Sequence, residues 1–255
     1  MISARSRPKA WLDGRVPNGY WDHLEHRRAY MHWLGKQLGY RKPNDWYNVT
    51  KHDFHSNSGG GLLANYYRDS PQAAVAEYLP NYEWKTWLFR SVPQGFWRKP
   101  ENRRAFMEWL GQTLEIRKAE DWYRVTQSDF HSHGGGGLLA NYYRDSPQLA
   151  VAEYLPKYDW KTWLFRSVPQ GFWRKPENRR TYMDWLGEQL GFADEEDWYQ
   201  LRCEDFIRHR GQSLLASYYS GSPFRALRDF RPDYSWEARK MDAAPRGSHS
   251  IASAT

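Results

Sequence analysis

The amino-acid sequence predicts an all-α protein of three tandem 76-residue helical repeats, each a tryptophan-rich mini-domain of about five short helices. Two observations support this fold class. All 15 tryptophans step through the chain at a spacing of 76 residues without a gap, which indicates repetition of one folded unit. Within a unit, apolar residues recur at helical steps of three and four, and no stretch alternates as a strand would. The tryptophan sets are Trp11, Trp87, Trp163; Trp21, Trp97, Trp173; Trp33, Trp109, Trp185; Trp46, Trp122, Trp198; and Trp84, Trp160, Trp236.

The phrase Val-Pro-x-Gly-aromatic-Trp opens every repeat and sets the predicted boundaries. A basic N-terminal segment in front of the first repeat resembles the tail of a preceding unit, because Trp11 matches Trp87. The tail behind the third repeat is small, polar and aperiodic, which predicts disorder. The predicted organisation is an N-terminal segment at 1–15, repeats at 16–91, 92–167 and 168–243, and a C-terminal tail at 244–255.

The first helix of the second repeat is predicted to begin at Pro100, since proline suits the first turn of a helix. Phe106, Trp109 and Leu110 lie on one apolar face of this helix, so we expect Trp109 to be largely buried. The short segment at 119–123 is consistent with one further helical turn. The corresponding segments of the other repeats predict the same two elements.

Three more helices are predicted behind this turn. A sequence at 126–129 resembles a capping box and predicts a short helix that ends at the glycines 134–137. The apolar and tyrosine spacing at 138–143 predicts a third helix. The Ser-Pro pair at 146–147 is typical of a helix start and predicts a fourth helix at 148–155.

The net charge of +7 is spread unevenly along the chain. The N-terminal segment contributes +3, the first and second repeats +2 each, the third repeat −1 and the tail +1. Basicity is therefore not a property of the repeat, although one face of a near-neutral unit can still carry a positive stripe. The single Cys203 excludes an internal disulfide and predicts an intracellular, reducing compartment, without distinguishing nucleus, organelle and cytoplasm. No apolar run is long enough to span a membrane, so no membrane partner is expected.

Cations stand next to aromatic residues at the start of the first helix of each repeat. In the second repeat, Trp97 is followed by four basic residues within 98–104; the third repeat carries an identical copy, and the first keeps only the Arg-Arg pair. Cations beside an exposed ring suit phosphate contact and base stacking, and we expect Trp97, at a Pro/Gly-rich junction, to be partly exposed. A solvated helix face is the alternative interpretation. The candidate nucleic-acid-binding residues here are Arg27, Arg28, Arg98, Lys99, Arg103, Arg104, Arg174, Lys175, Arg179 and Arg180.

A glycine cluster precedes the third helix in the first two repeats, whereas the third repeat keeps only Gly211. A glycine-rich turn at a helix N-terminus presents backbone N–H groups to an anion such as phosphate, so Gly60, Gly61, Gly136 and Gly137 are candidate nucleic-acid-binding residues. The helix–glycine turn–helix arrangement resembles helix-turn-helix and SAP-type nucleic-acid modules. The alternative is a tight turn that requires positive φ. The Lys-Ser/Thr ending of a P-loop is missing, so nucleotide hydrolysis is not supported.

The residue pattern gives no support for catalysis, metal binding or a cofactor. His55 matches His131 but becomes Ile207 in the third repeat, and no cysteine pair completes a zinc site. No Ser/His/Asp arrangement or carboxylate pair stands apart from the repeat. We therefore predict no catalytic residues, no metal, no cofactor and no small-molecule substrate. The histidine loop varies between repeats, which is typical of a recognition loop or of a permissive surface loop.

The sequence favours a non-catalytic tandem-repeat binding protein whose partner is nucleic acid, either DNA or RNA. This hypothesis depends on the repeated arginines, the basic junctions, the glycine-rich helix starts and the basic N-terminus. The alternative is a protein-interaction scaffold or a structural subunit of a larger assembly, which near-neutral units and abundant tryptophan and tyrosine also favour. Carbohydrate binding through exposed tryptophans is a third hypothesis.

Overall fold

The computed structural model describes residues 10–14 and 16–243, and this part of the chain is all-α, with several tryptophan-rich aromatic clusters and no strand. The predicted fold class is therefore confirmed at the level of secondary structure. Apart from residues 10–14, the predicted basic N-terminal segment and the predicted tail at 244–255 lie outside the described residues.

The chain divides into two compact units. The first consists of Met1–Arg117 and Gln127–Pro147, and the second of Lys118–Thr126 and Gln148–Thr255, so the second sequence repeat contributes to both units. The α-helices, in chain order, are α1 Leu24–Gln37, α2 Lys51–Ser56, α3 Gly60–Tyr67, α4 Pro71–Tyr78, α5 Pro100–Thr113, α6 Gln127–Ser132, α7 Gly136–Tyr143, α8 Pro147–Tyr154, α9 Pro176–Leu190, α10 Cys203–Arg208, α11 Gln212–Tyr219, α12 Pro223–Phe230 and α13 Ala238–Ala243.

The helix starts follow the local signals in the sequence. The Ser70 hydroxyl accepts a hydrogen bond from the backbone N–H of Ala73 at 3.2 Å, and Pro71 occupies the first turn of α4. Thr50 and Asp53 form a capping box at the start of α2, with Asp53 accepting from the Thr50 backbone at 2.7 Å. Short 3₁₀ helices precede α1 or lie between successive α-helices, at Ala10–Leu12, Tyr20–Asp22, Pro43–Asn48, Thr86–Leu88, Phe96–Arg98, Ala119–Arg124, Thr162–Leu164, Phe172–Arg174 and Asp197–Gln200.

The glycines before the third helix serve close packing. A Cβ on Gly59 would lie 2.0 Å from the Tyr30 hydroxyl oxygen, and one on Gly135 would lie 2.3 Å from the ring of Phe106. Only glycine fits such an approach of backbone to ring. The helix α7 begins at Gly136 and not at residue 138, because Gly136 and Gly137 form its first turn. The interpretation as a tight turn that requires positive φ holds at Gly134, where φ is 80°. Gly59 and Gly135 have negative φ, and the crowding by an aromatic ring is what requires glycine there.

A tryptophan from the end of each preceding segment completes the aromatic core around the next long helix. Trp11 is 1% exposed, and its ring lies 5.5 Å from Tyr30 and 5.8 Å from Trp33, both on α1. Trp87 lies 5.7 Å from Phe106 on α5, and Trp163 lies in the same way beside α9. Packing therefore crosses the sequence boundaries drawn at the Val-Pro phrase.

Two tryptophans differ in their exposure to solvent from what the sequence predicts. Trp97 is 5% exposed, so the prediction that it is partly exposed is wrong; its 3₁₀ turn folds against α5 and its ring packs on Phe106 at 5.6 Å. Trp109 is half-buried and not fully buried. Its ring lies 5.5 Å from Trp87 and 5.9 Å from His133, at the edge of the apolar stripe where solvent still reaches it.

Candidate nucleic-acid interface

The first arginine of the Arg-Arg pair is held inside the protein. Arg27 donates from Nε and Nη2 to the Glu77 carboxylate at 2.8 and 3.0 Å. Its Nη1 donates to the backbone carbonyls of Trp21 and Asp22 at 2.7 and 3.1 Å. The side chain of Arg27 is 14% exposed. These bonds join the 3₁₀ turn Tyr20–Asp22, α1 and α4, so they give Arg27 a structural role and leave its guanidinium little capacity for phosphate.

The same arrangement recurs at the corresponding arginine of the third repeat. Arg179 donates from Nε to Asp229 at 2.9 Å and from Nη1 to the Trp173 carbonyl at 3.0 Å, with a side chain that is 13% exposed. In the second repeat, Arg103 donates from Nη1 to the Trp97 carbonyl, also at 3.0 Å. The first arginine of each pair thus caps the carbonyl end of a 3₁₀ turn.

A buried tyrosine joins this network from the third helix. Tyr67 donates to Glu77 at 2.6 Å, and burial together with that carboxylate raises the pKa of the Tyr67 hydroxyl. The hydrogen bonds from Arg27 lower the pKa of Glu77 despite its partial burial. Conversely, the Glu77 carboxylate raises the pKa of the Arg27 guanidinium. Each of these groups stabilises the ionised pair, so the network remains charged at neutral pH.

The second arginine of each pair points outward. Arg28 and Arg180 are exposed, and within the described residues neither forms a hydrogen bond or an ion pair. Arg104 is also exposed and pairs with Glu108 one helical turn away, at 3.0 Å. Exposed pairs of this kind contribute only about 0–1 kcal/mol, so a phosphate can replace the carboxylate.

Two further basic pairs lie exposed at the helix starts. Arg98 and Lys99 immediately precede α5, and Arg174 and Lys175 immediately precede α9. The aliphatic stem of Arg98 folds back over the Val-Pro-x-Gly-aromatic-Trp loop, where its Cδ would lie 3.7 Å from a Cβ on Gly95. The first repeat has no such pair.

The candidate glycines differ in their surroundings. Gly60 and Gly136 each lie against a histidine ring, because a Cβ there would be 2.6 Å from the Nδ1 of His55 or of His131. Gly61 has open space where a Cβ would be and lies exposed on the first turn of α3. Gly137 is likewise exposed. Of the four candidate glycines, the second of each pair therefore has its surface open to a ligand.

A groove in the first unit runs between the Val-Pro-x-Gly-aromatic-Trp loop and α3. The segment 16–21 forms one wall, and Gly61, Asn65 and Tyr66 form the other, around about 490 Å³. This volume lies within the range of small-ligand pockets, roughly 300–1,000 Å³. The lining of the groove is more polar than apolar and includes amide, indole and phenol groups.

The exposed tyrosine of this groove was not predicted from the sequence. Tyr66, Tyr142 and Tyr218 are 38%, 40% and 40% exposed, whereas the next residue, Tyr67 in the first repeat, is buried. Both tyrosines of the pair occupy a helical segment, and local spacing does not tell which one faces inward. Two adjacent residues of a helix point about 100° apart, so two adjacent tyrosines cannot both face the core. The tyrosine pair itself could therefore have predicted one exposed ring.

The structure gives the histidines of the variable loop packing roles. His133 lies edge-on to Trp109 at 5.9 Å, and its Nδ1 lies 2.7 Å from the Asp129 carbonyl oxygen. His209 repeats both contacts, with Trp185 as its aromatic partner. Within residues 10–14 and 16–243, no group of three or more His, Cys, Asp or Glu side chains is placed to hold a metal ion.

Comparison with protein-family models, with curated proteins and with solved structures gives no match for this chain. In the part of the chain that the structure describes, no helix combines the length and the apolar composition that a membrane span requires.

Proposed function

We propose that this chain is a non-catalytic tandem-repeat protein that binds nucleic acid through surfaces that recur at the 76-residue sequence period. The observation that carries the proposal is the pair of exposed basic dipeptides, Arg98-Lys99 and Arg174-Lys175, at the starts of α5 and α9. Each follows a buried tryptophan that fixes the local backbone, so the cations project from a rigid base.

The hydrogen bonds of Arg27 and Arg179 narrow the choice of residues that contact phosphate. Because Arg27 and Arg179 are held by carboxylates and by backbone carbonyls, the phosphate contacts belong to the exposed neighbours Arg28 and Arg180, together with the two dipeptides. The buried arginines position these neighbours by holding the helix start against the rest of the unit. The third sequence repeat is acidic overall, so its cations act locally and not through net charge.

A protein-interaction scaffold is supported less well by the surface. Within the described residues, Leu12, Leu149 and Ile207 are exposed apolar side chains that do not recur at the repeat spacing. Single exposed apolar residues are ordinary on a protein surface, whereas interaction sites need contiguous patches. The exposed aromatic side chains that do recur are tyrosines, which also suit nucleic-acid bases.

The test is a salt titration of affinity for labelled DNA and RNA. The variant R98A/K99A/R174A/K175A should bind more weakly, and its log–log salt slope should be flatter by about 0.7 per lost contact on a single strand or about 0.9 on a duplex. The matched control is K36A/K51A/K157A/R208A, which removes the same number of exposed cations from other positions. If both variants lose affinity equally, binding depends on net charge alone and the assigned face is wrong. If the unmodified protein binds neither DNA nor RNA at about 50 mM salt, the proposal fails and the scaffold hypothesis replaces it.

A further inference from the structure

The groove beside α3 contains an indole N–H donor that has no protein partner, on a tryptophan whose ring is otherwise buried. Trp21 is 6% exposed and lines the groove with Gly61. In the third repeat, the corresponding Trp173 donates from Nε1 to the Ser213 hydroxyl at 3.0 Å. Residue 213 corresponds to Gly61, which has no side chain, and within the described residues the Trp21 indole N–H forms no hydrogen bond. The absence of a side chain at Gly61 therefore leaves this donor available to a ligand.

The second repeat shows the same arrangement. Trp97 is 5% exposed, and its Nε1 lies 3.8 Å from the position that a Cβ on Gly137 would take. It too forms no hydrogen bond within the part of the chain that the structure describes. Two repeats thus present an unpaired indole N–H beside a glycine, and the third repeat satisfies the donor internally with Ser213.

An aromatic ring that an arginine covers lies on the same helix as each of these glycines. The Arg27 guanidinium carbon lies 5.3 Å from the centre of the Tyr66 ring, and Arg103 lies at the same distance from Tyr142. Since Arg27 is fixed by Glu77 and by backbone carbonyls, it covers one part of the tyrosine surface and holds the ring in place. A ring that is already ordered loses little entropy when a planar ligand stacks on its free surface.

We propose, on the basis of the proposed function, that the groove of the first repeat, and the corresponding surface of the second, is a subsite for one unpaired base of a single-stranded nucleic acid. The base stacks on Tyr66, a base oxygen or ring nitrogen accepts from the Trp21 indole N–H, and the Asn65 amide bonds the base edge. The corresponding residues of the second repeat are Tyr142, Trp97 and Asn141. The Asn141 Nδ2 donates one hydrogen bond to the Gly137 carbonyl at 2.8 Å, so its Oδ1 and its second N–H are the groups that face a base edge. A base in a duplex is paired and stacked on both faces, so it cannot enter such a groove without being extruded.

The third repeat provides a natural contrast. Ser213 accepts the hydrogen bond from the Trp173 indole, and Ser217 replaces the asparagine. The corresponding surface of the third repeat therefore lacks both groups that would recognise a base edge. The exposed Tyr218 remains, with Arg179 at 5.0 Å from its ring centre. We therefore assign base recognition to the first two repeats, and contact with the nucleic-acid backbone alone to the third.

The test uses fluorescence anisotropy with labelled single-stranded oligonucleotides and a duplex of the same length, at one salt concentration. The variant G61S/G137S places at both positions the residue that the third repeat carries, and open space at Gly61 and a 3.8 Å separation at Gly137 accommodate the side chain. The matched control is A29S/A105S, which adds a hydroxyl at two exposed helix positions outside the groove. The third repeat carries a hydroxyl at the corresponding position, Thr181. The reciprocal variant S213G/S217N opens the third groove. Thermal melting of every variant checks that the fold is retained.

We expect the unmodified protein to bind the single strand more tightly than the duplex. G61S/G137S should weaken single-strand binding by at least about fivefold, the lower end of the range for losing one base contact. A29S/A105S should bind as the unmodified protein does, and S213G/S217N should bind more tightly. Equal affinity of G61S/G137S and the unmodified protein would overturn the subsite, as would preference for the duplex, while leaving the proposed nucleic-acid function intact. Loss of all binding in the unmodified protein would instead refute the proposed function.

Discussion

Replacing Arg27 by alanine should destabilise the protein far more than the same change at the next residue. The substitution removes a two-bond ion pair with Glu77 and leaves the Trp21 carbonyl without its donor. Breaking a buried ion pair costs about 3–5 kcal/mol and an exposed one contributes about 0–1 kcal/mol. The Arg27 side chain is 14% exposed and that of Glu77 is 34%, so the pair lies between these limits. We expect R27A to lower the free energy of unfolding by about 2–3 kcal/mol.

The measurement is urea denaturation at pH 7, followed by far-ultraviolet circular dichroism. The control is R28A, because Arg28 is exposed and makes no ion pair within the described residues; its effect should stay within about 0.5 kcal/mol. R27K keeps the charge but loses the planar fork, so its stability should fall between those of R27A and the unmodified protein. Equal unfolding midpoints for R27A and R28A would refute the structural role of Arg27.

Three further perturbations test other parts of the structure. The pKa of Glu77 is lowered in the folded state, so the ionised carboxylate stabilises the fold above its unfolded pKa of about 4.3, and this stabilisation is lost as pH falls through the lower folded value. We therefore expect E77Q to be less stable at pH 7, and its stability should depend less on pH below about pH 5. G211A should cost about 1–3 kcal/mol, because its Cβ would lie 2.0 Å from a buried tyrosine hydroxyl, whereas G61A has open space and should be neutral or stabilising by up to about 1 kcal/mol in the same denaturation assay. W97A should lower the free energy of unfolding by about 3–5 kcal/mol, and W109A should lower it clearly less because Trp109 is only half-buried. A larger loss of stability for W109A than for W97A would contradict this difference in burial.

Helix starts were predictable from the sequence because their causes are local. The Ser-Pro pair before α4 and the Thr-x-x-Asp sequence before α2 act over three residues, and the structure shows both caps. The start of α7 was predicted two residues late, since glycine has low helix propensity and local sequence alone assigns it to a turn. The all-α class depends on the spacing of apolar residues, which is also a local property.

The candidate site was less predictable, as the Arg-Arg pair shows. Arg27 and Arg28 are the same residue type on adjacent positions of one helix, and no local feature separates them. Their directions differ by about 100°, which places Arg27 against Glu77 on α4 and Arg28 in solvent. The partner carboxylate lies fifty positions away in the chain, so only the tertiary structure brings the two together.

The sequence by itself determined the helical class, the 76-residue period and the presence of cations and aromatic residues near each helix start. These properties depend on residue type and on spacing within a turn or a period. Only the tertiary structure decided that Trp97 is buried, that Tyr66 is exposed beside an indole donor, and that Gly59 accommodates the ring of Tyr30. Burial and exposure depend on which distant segment packs against a residue, and the spacing of neighbours along the chain does not contain that information.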